Sequence, residues 1–222
     1  MSNIFSSSIG KKLVMSLAGL FLIVFLLVHL VINLLVLLDS PVPFNLAAHF
    51  MGTNILIKVM EIALFGGFLL HMIYACIVSI QNWIARPRGY KKENYSQTSV
   101  FSKYMVHTAV VLTIFLVLHL LDFYVKAKFY GEIGIVNYNG KEIHDLASLV
   151  IARFQIRWVV WIYIIALLGL GFHLHHGFQS AFQTLGINHP VYTPLIKTAG
   201  FIYTVLITLG FMSIPVLVYY LK

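Results

Sequence analysis

Apolar residues run along this chain in five long blocks, roughly 13–38, 56–84, 104–126, 158–182 and 195–221, separated by short polar connections. A helix rises about 1.5 Å per residue, so about 20 apolar residues cross the hydrocarbon core of a bilayer. Every block is long enough, and the pattern predicts an all-α fold: an integral membrane bundle of five transmembrane helices in one domain, residues 1–222. Pro41 and Pro43 end the first block, Pro87 and Gly89 the second, Gly131 to Gly140 mark a turn-rich connection, and Pro190 with Pro194 opens the fifth block. Pro215 falls inside the fifth block and is expected to kink it, which neighbouring helices tolerate by re-satisfying the freed carbonyl.

Charge adds an orientation. Lys11 and Lys12 precede the first block and Arg86, Arg88, Lys91 and Lys92 crowd the second connection, whereas Asp39 to Asn54 contains no Lys or Arg. The positive-inside rule then places the N-terminus in the cytoplasm and, after five spans, the C-terminus outside. The third connection pulls against this, because it holds Lys126, Lys128, Lys141, Arg153 and Arg157 beside Glu132, Glu142 and Asp145. Hydrophobic residues make up 60% and charged residues 10% of the chain, far from a soluble domain. The net charge of +8 sits beside apolar blocks and not on a polar domain, so it reads as membrane anchoring and not as nucleic-acid binding. The N-terminal block is too long for a secretory leader and has no small-residue cleavage site, so it is expected to be retained. The lone cysteine, Cys76, lies in an apolar block, which leaves no disulfide framework, zinc spacing or iron–sulfur ligand set.

The chemistry is carried by histidine. Imidazole is costly in hydrocarbon and marks a functional site when it recurs at depth. His29 lies in LIVFLLVHLVINLL, His71 in FGGFLLHMIYAC and His119 in TIFLVLHLLDF, while the fourth block ends with His173, His175 and His176 in GLGFHLHHGFQSAFQTLG. His29 is ten residues before Asp39 and His119 seven before Lys126, roughly 10–15 Å below the outer anchors. His71 is thirteen residues after Lys58 and His173 sixteen after Arg157, roughly 20–24 Å below the same side. The four sort into an outer pair, His29 with His119, and an inner pair, His71 with His173. Two facing imidazoles per level in a bundle core are what a six-coordinate haem needs. Geometry leaves His173 and His176 open, since three residues apart they share a helix face. Gly66, Gly67 and Gly169, one turn before histidines, make room either for a flat macrocycle or for close helix approach.

With these residues in place the chain resembles the cytochrome b membrane-anchor subunit of the succinate:quinone oxidoreductase family, the single-chain, five-helix, two-haem type found with menaquinone. The resemblance covers nearly the whole chain and rests on the ordered set of four histidines on five helices. In that family the fourth-helix ligand lies four residues before a glycine that opens a ten-residue tract ending in an aromatic residue and glycine. Gly177 to Gly186 fits, with Leu185 in the aromatic place, and this favours His173 over His176. The interval of 42 residues between His29 and His71 also agrees. The resemblance implies two haem b groups, one axially ligated by His29 and His119 and the other by His71 and His173. It also implies a flavoprotein subunit and an iron–sulfur subunit on the cytoplasmic face, electron transfer with membrane menaquinone, a multi-pass place in the bacterial cytoplasmic (inner) membrane, and contact with lipid. A higher oligomer of the whole complex is compatible with it. The chain would be a quinone-reactive, electron-transferring subunit without succinate chemistry of its own. One branch of the family has a proton-carrying glutamate two residues before the fourth-helix ligand, where this chain has Gly171.

Other polar residues carry two readings each. Glu61, ten residues from His71, is either a proton-exchanging group near a quinone or a headgroup-level carboxylate beside Lys58. Asp122, one turn beyond His119, either joins the ligand network or a quinol, or reaches water at a helix end. Lys11, Lys12, Arg86, Arg88 and Lys103 suit haem propionates, a docked subunit or simple anchoring. Ser16, Asn33, Ser79 and Asn82 read as interhelical hydrogen-bonding groups, with quinone or propionate contact the alternative. His49, His107, His144 and His189 read as interfacial. Three competing functions stay in view: a haem-b subunit of another respiratory complex such as a hydrogenase or formate dehydrogenase, a histidine-relay transporter, and a haem-free anchor. Against the transporter stand the absence of an internal repeat and the few intramembrane carboxylates.

Overall fold

The computed structural model describes residues 7–85, 104–130 and 133–222. Arg86, Pro87, Arg88, Gly89, Lys91, Lys92 and Lys103, which carry much of the charge argument, lie outside the described residues. The fold is mostly helical, with five helices long and apolar enough to cross a membrane. These are α1 (Ser8–Leu34, extended by a 3₁₀ turn Leu35–Leu37), α3 (Ile55–Ile84), α4 (Met105–His119), α6 (Arg157–Thr184) and α7 (Tyr192–Leu221). The helices outrun the apolar blocks by up to five residues, because polar ends are capped rather than melted. Ser7 accepts from the Gly10 N–H at 3.0 Å, and Asn54 accepts from the Leu56 N–H at 2.9 Å. Helix α7 continues through Pro215 without a break.

Helix α4 changes its winding at the residue after His119. From Leu120 to Tyr130 the chain is π-helical, a form usually confined to single turns at functional sites. Spacing rules for an α-helix therefore stop applying between His119 and Asp122.

Two connections expected as loops are structured. Pro41 and Pro43 do not merely end the first span; they start α2 (Val42–Thr53), where missing N–H groups cost nothing. After α4 come a β-hairpin, β1 (Ile135–Tyr138) and β2 (Lys141–His144), and then α5 (Leu146–Phe154). The two strands pair antiparallel with Ile135 opposite His144 and Tyr138 opposite Lys141. Asn139 and Gly140, both at positive φ, make the turn. The fold thus contains a small two-stranded sheet beyond the expected all-α bundle. Asn45, fully buried on α2, donates to Asp145 Oδ1 and accepts from the Ala147 N–H, both at 2.8 Å, pinning α2 to the start of α5. Lys222 donates to the Leu38 carbonyl at 2.6 Å, bringing the last residue to the same end. This capped end is where α1 and α4 finish and α3 and α6 begin.

Within the bundle α1 packs on α3, α6 and α7, α6 packs on α7, and α4 packs on α6. Buried side chains concentrate on α6 and α7, including Val159, Tyr163, Leu174, Ile207 and Val218, whereas α3 and α4 bury none fully. Their exposed Leu, Ile and Val side chains suit hydrocarbon, where apolar exposure carries no penalty.

Candidate functional site

Four histidines meet in two pairs at two levels. His29 of α1 and His119 of α4 have ring centres 5.9 Å apart; His71 of α3 and His173 of α6 have ring centres 6.3 Å apart. A metal–imidazole bond of about 2 Å on each side, plus about 1 Å from nitrogen to ring centre, separates the centres of two axial imidazoles by roughly 6 Å. The helices that present each pair, α1 with α4 and α3 with α6, are not among the closely packed helix pairs. The imidazoles thus reach towards each other across the wider diagonals of the bundle.

In three of the four histidines the second ring nitrogen faces an acceptor. A metal-bound histidine ordinarily offers its other N–H to an acceptor, which fixes tautomer and ring orientation. His71 Nδ1 lies 3.1 Å from the Met15 carbonyl of α1. His173 Nδ1 lies 3.3 Å from Thr108 Oγ1, whose own proton is given to the Met105 carbonyl at 2.9 Å, so its lone pairs face the ring. His119 Nδ1 lies 3.4 Å from the Tyr163 hydroxyl, which donates to Asp122 Oδ2 at 3.4 Å. In these three the arrangement leaves Nε2 as the basic nitrogen. His29 differs: Asn33 Nδ2 donates to the His29 carbonyl at 2.7 Å and lies 3.3 Å from Nδ1. Its ring is held instead by stacking on Phe25 and by Phe211.

The cluster on α6 separates. His173 faces His71, whereas His176 Nε2 lies 3.1 Å from Ser180 Oγ on its own helix. His175 points to another side, with Gln179 and the Phe201 ring as neighbours. His107, His144 and His189 are exposed, and His49 is half-buried on α2.

The chain finds no match among family models, curated proteins or solved structures.

Among the described residues no group of three or more His, Cys, Asp or Glu side chains converges on one point. Two imidazoles are too few to cage a metal alone. They suit a group that brings its own in-plane donors, as haem does. The donor chemistry and ring spacing therefore fit haem at both levels, with His29 and His119 on one and His71 and His173 on the other.

Glycine makes room in ways the sequence obscured. Gly19 of α1 seats the His71 ring: a Cβ there would lie 3.2 Å from His71 Cε1. Gly66 faces open space, while a Cβ on Gly67 would meet Phe21 at 3.1 Å, so the first leaves volume and the second lets α1 and α3 approach. A Cβ on Gly169 would make only ordinary contact, 3.7 Å from Val111. At Gly171 a Cβ would be 2.8 Å from Thr208 Oγ1 of α7, so this position is closed to a long side chain.

The two candidate carboxylates take specific partners. Glu61 joins Lys128 and Tyr124 of the π-helical stretch through short contacts, with Lys58 further off. Asp122 is paired across helices: its Oδ1 is 2.8 Å from Arg153 Nη2 of α5, and both side chains are largely buried. Arg153 also lies over the Trp158 ring at 5.3 Å. Tyr163, buried among Phe115, Phe123 and Phe154, was not apparent from sequence, because a tyrosine in an apolar block looks like any interfacial aromatic. Of the four polar helix residues, Asn33 bonds within its own helix and Ser16 is buried.

Proposed function

We propose that the chain is the dihaem cytochrome b membrane anchor of a succinate dehydrogenase or fumarate reductase, carrying electrons between an iron–sulfur subunit and membrane menaquinone. The observation that carries this is the double pairing: two histidine pairs at ring spacings of 5.9 and 6.3 Å, each spanning helices that do not pack closely on each other. Bound between such pairs, haem supplies a one-electron centre at each level. The residues of the chain would then do the protein's share: four imidazoles would hold the iron, Met15, Thr108 and Tyr163 would orient three of them, and Phe25, Phe115 and Phe211 would exclude water from the level of His29 and His119.

In this reading the N-terminus and Lys11 with Lys12 lie on the cytoplasmic side, where the flavoprotein and iron–sulfur subunits dock, in the bacterial cytoplasmic membrane. Cys76 is the single thiol, so iron–sulfur chemistry belongs to the partner. The capped end and the C-terminus lie outside, with Glu61 and Asp122 at the quinone-proximal end. The test is a reduced-minus-oxidised spectrum of the purified complex with its co-purifying subunits identified. Two b-type centres are expected per chain. His29→Ala and His119→Ala should lose the same centre, and His71→Ala and His173→Ala the other. Four variants with an unchanged spectrum would refute the ligand set, and a hydrogenase or formate dehydrogenase as co-purifying partner would redirect the assignment.

A further inference from the structure

The strongest unassigned feature is a chain of side chains that ends on one histidine. Arg153 on α5 grips Asp122 Oδ1 at 2.8 Å; Asp122 Oδ2 accepts from the Tyr163 hydroxyl at 3.4 Å; and that hydroxyl stands 3.4 Å from His119 Nδ1. The residues come from three elements, α5, the π-helical end of α4 and α6, so no local motif reveals them. They surround a cavity of about 40 Å³, also lined by Leu118, Trp158 and Val159. The phenol ring is fixed on all sides by Phe115 at 4.9 Å, Phe154 at 5.0 Å and His119 at 6.2 Å between ring centres.

Resting on the haem reading above, we infer that Tyr163 is a positioning residue for His119, and that Asp122 and Arg153 set the electron-donating strength of that imidazole through it. Because the hydroxyl gives its proton to Asp122, its lone pairs face Nδ1 and accept the imidazole N–H. An imidazole that donates a hydrogen bond to an oxygen gains negative character and becomes a stronger ligand, which favours ferric over ferrous iron. Asp122 strengthens this by polarising the hydroxyl. Arg153 weakens it by drawing negative charge to the far side of the carboxylate. The amphipathic helix at the capped end thereby acts on one centre only, since the acceptors at the other level are Met15 and Thr108.

The signs differ along the chain, and this separates tuning from loosened packing. Tyr163→Phe keeps the ring and its aromatic box and removes only the acceptor. The midpoint potential of the centre that depends on His119 should rise, by the equivalent of roughly a tenfold shift towards the ferrous form, about 59 mV for one electron. Asp122→Asn should move it the same way by less, and Arg153→Gln should move it the opposite way. The measurement is spectroelectrochemical titration of both b centres in the intact complex, with low-spin ferric electron paramagnetic resonance as a second readout of ligand orientation. The expected result is movement of one centre while the other stays in place. Potentials unmoved by Tyr163→Phe in a complex that retains both centres would overturn the inference alone. Equal movement of both centres, or the same sign for all three variants, would also overturn it. A wild-type complex without haem would overturn the functional reading and this inference with it.

Discussion

Replacing Gly171 by alanine tests the most constrained glycine contact near the His71–His173 pair. The new Cβ would sit 2.8 Å from Thr208 Oγ1, 3.2 Å from Cγ2 and 3.6 Å from Cβ, between α6 and α7, which pack extensively on each other. Thr208 is β-branched and buried, so every χ1 rotamer leaves at least one heavy γ atom against the new Cβ. The helices must separate or tilt by several tenths of an ångström. Overpacking of this kind costs about 1–3 kcal/mol, against which alanine regains up to about 1 kcal/mol of helix propensity. The single variant is therefore expected to lose about 0–2 kcal/mol. Thr208→Ala removes the two closest atoms, and because Thr208 Oγ1 has no hydrogen-bond partner among the described residues the change sacrifices no bond seen there. Alone it should cost about 1 kcal/mol through lost packing. Combined with Gly171→Ala it should recover stability, giving a coupling of about 1–3 kcal/mol of rescuing sign. Equilibrium unfolding in mixed detergent and SDS micelles, followed by tryptophan fluorescence, measures all four corners of the cycle. The absorption of the centre assigned to His71 and His173 reports any displacement of His173, two residues away. Strict additivity of the two substitutions would refute the close approach of α6 and α7 at this point.

Further outcomes can be checked separately. Gly19→Leu should displace the His71 ring from α1 and remove the centre of the His71–His173 pair while sparing the other, as read from the difference spectrum; loss of both or neither would contradict the seating role. His176→Ala should keep both centres, since its Nε2 is turned to Ser180; loss of one would transfer the ligand role from His173 to His176. Glu61→Gln breaks the contacts to Lys128 and Tyr124; a partly exposed pair contributes only about 0–1 kcal/mol, so a clear fall in quinone turnover at unchanged haem content is expected from a proton-exchanging Glu61, and unchanged turnover counts against that role. At the capped end, Asn45→Ala should cost about 2 kcal/mol through unmade buried hydrogen bonds, visible as lost hydrogen-exchange protection in α5. Burial pushes the Asp145 carboxyl upwards, but hydrogen bonds from Ser148 and Asn45 outweigh it and hold the group below its ordinary value. The folded state then binds fewer protons, so the stabilisation is complete above the unfolded carboxylate value and fades as acid carries the pH through the folded one. Protection in α5 should fall in that acidic window, and Asp145→Asn should abolish the dependence.

The parts of this architecture that were readable from sequence are those governed by one-dimensional rules. Five spans follow from uninterrupted apolar length, and the sorting of His29, His71, His119 and His173 into two levels follows from rise per residue between polar anchors. The ring spacings in the structure agree with that sorting. What could not be read depends on elements that meet only in three dimensions. Asp122 looked like a neighbour of His119 by α-helical spacing, but π-helical winding intervenes and Tyr163 from α6 makes the link. Arg153 looked like a loop cation, because α5 is short and lies between a hairpin and a span. Lys58 was the obvious partner of Glu61 by sequence, yet Lys128 arrives from another helix. Gly19 carried no signal beyond being small, since what it accommodates is more than 50 residues away. The Asn139–Gly140 turn was the one strong local clue to the hairpin.

The position of the four histidines along the chain also bears on how the protein is made. Each pair takes one member from the first two spans and one from a later span, so neither can form while only α1 and α3 have entered the membrane. His71 is nevertheless seated early, because Met15 and Gly19 already stand beside it in α1. Synthesis through α4 completes the pair of His29 and His119; the pair of His71 and His173 waits for the far end of α6. That same helix brings Tyr163 to His119. Insertion of α6 is therefore the step at which one pair closes and the other acquires its final orientation, and a chain truncated before it would retain only one of the two pairs, held loosely.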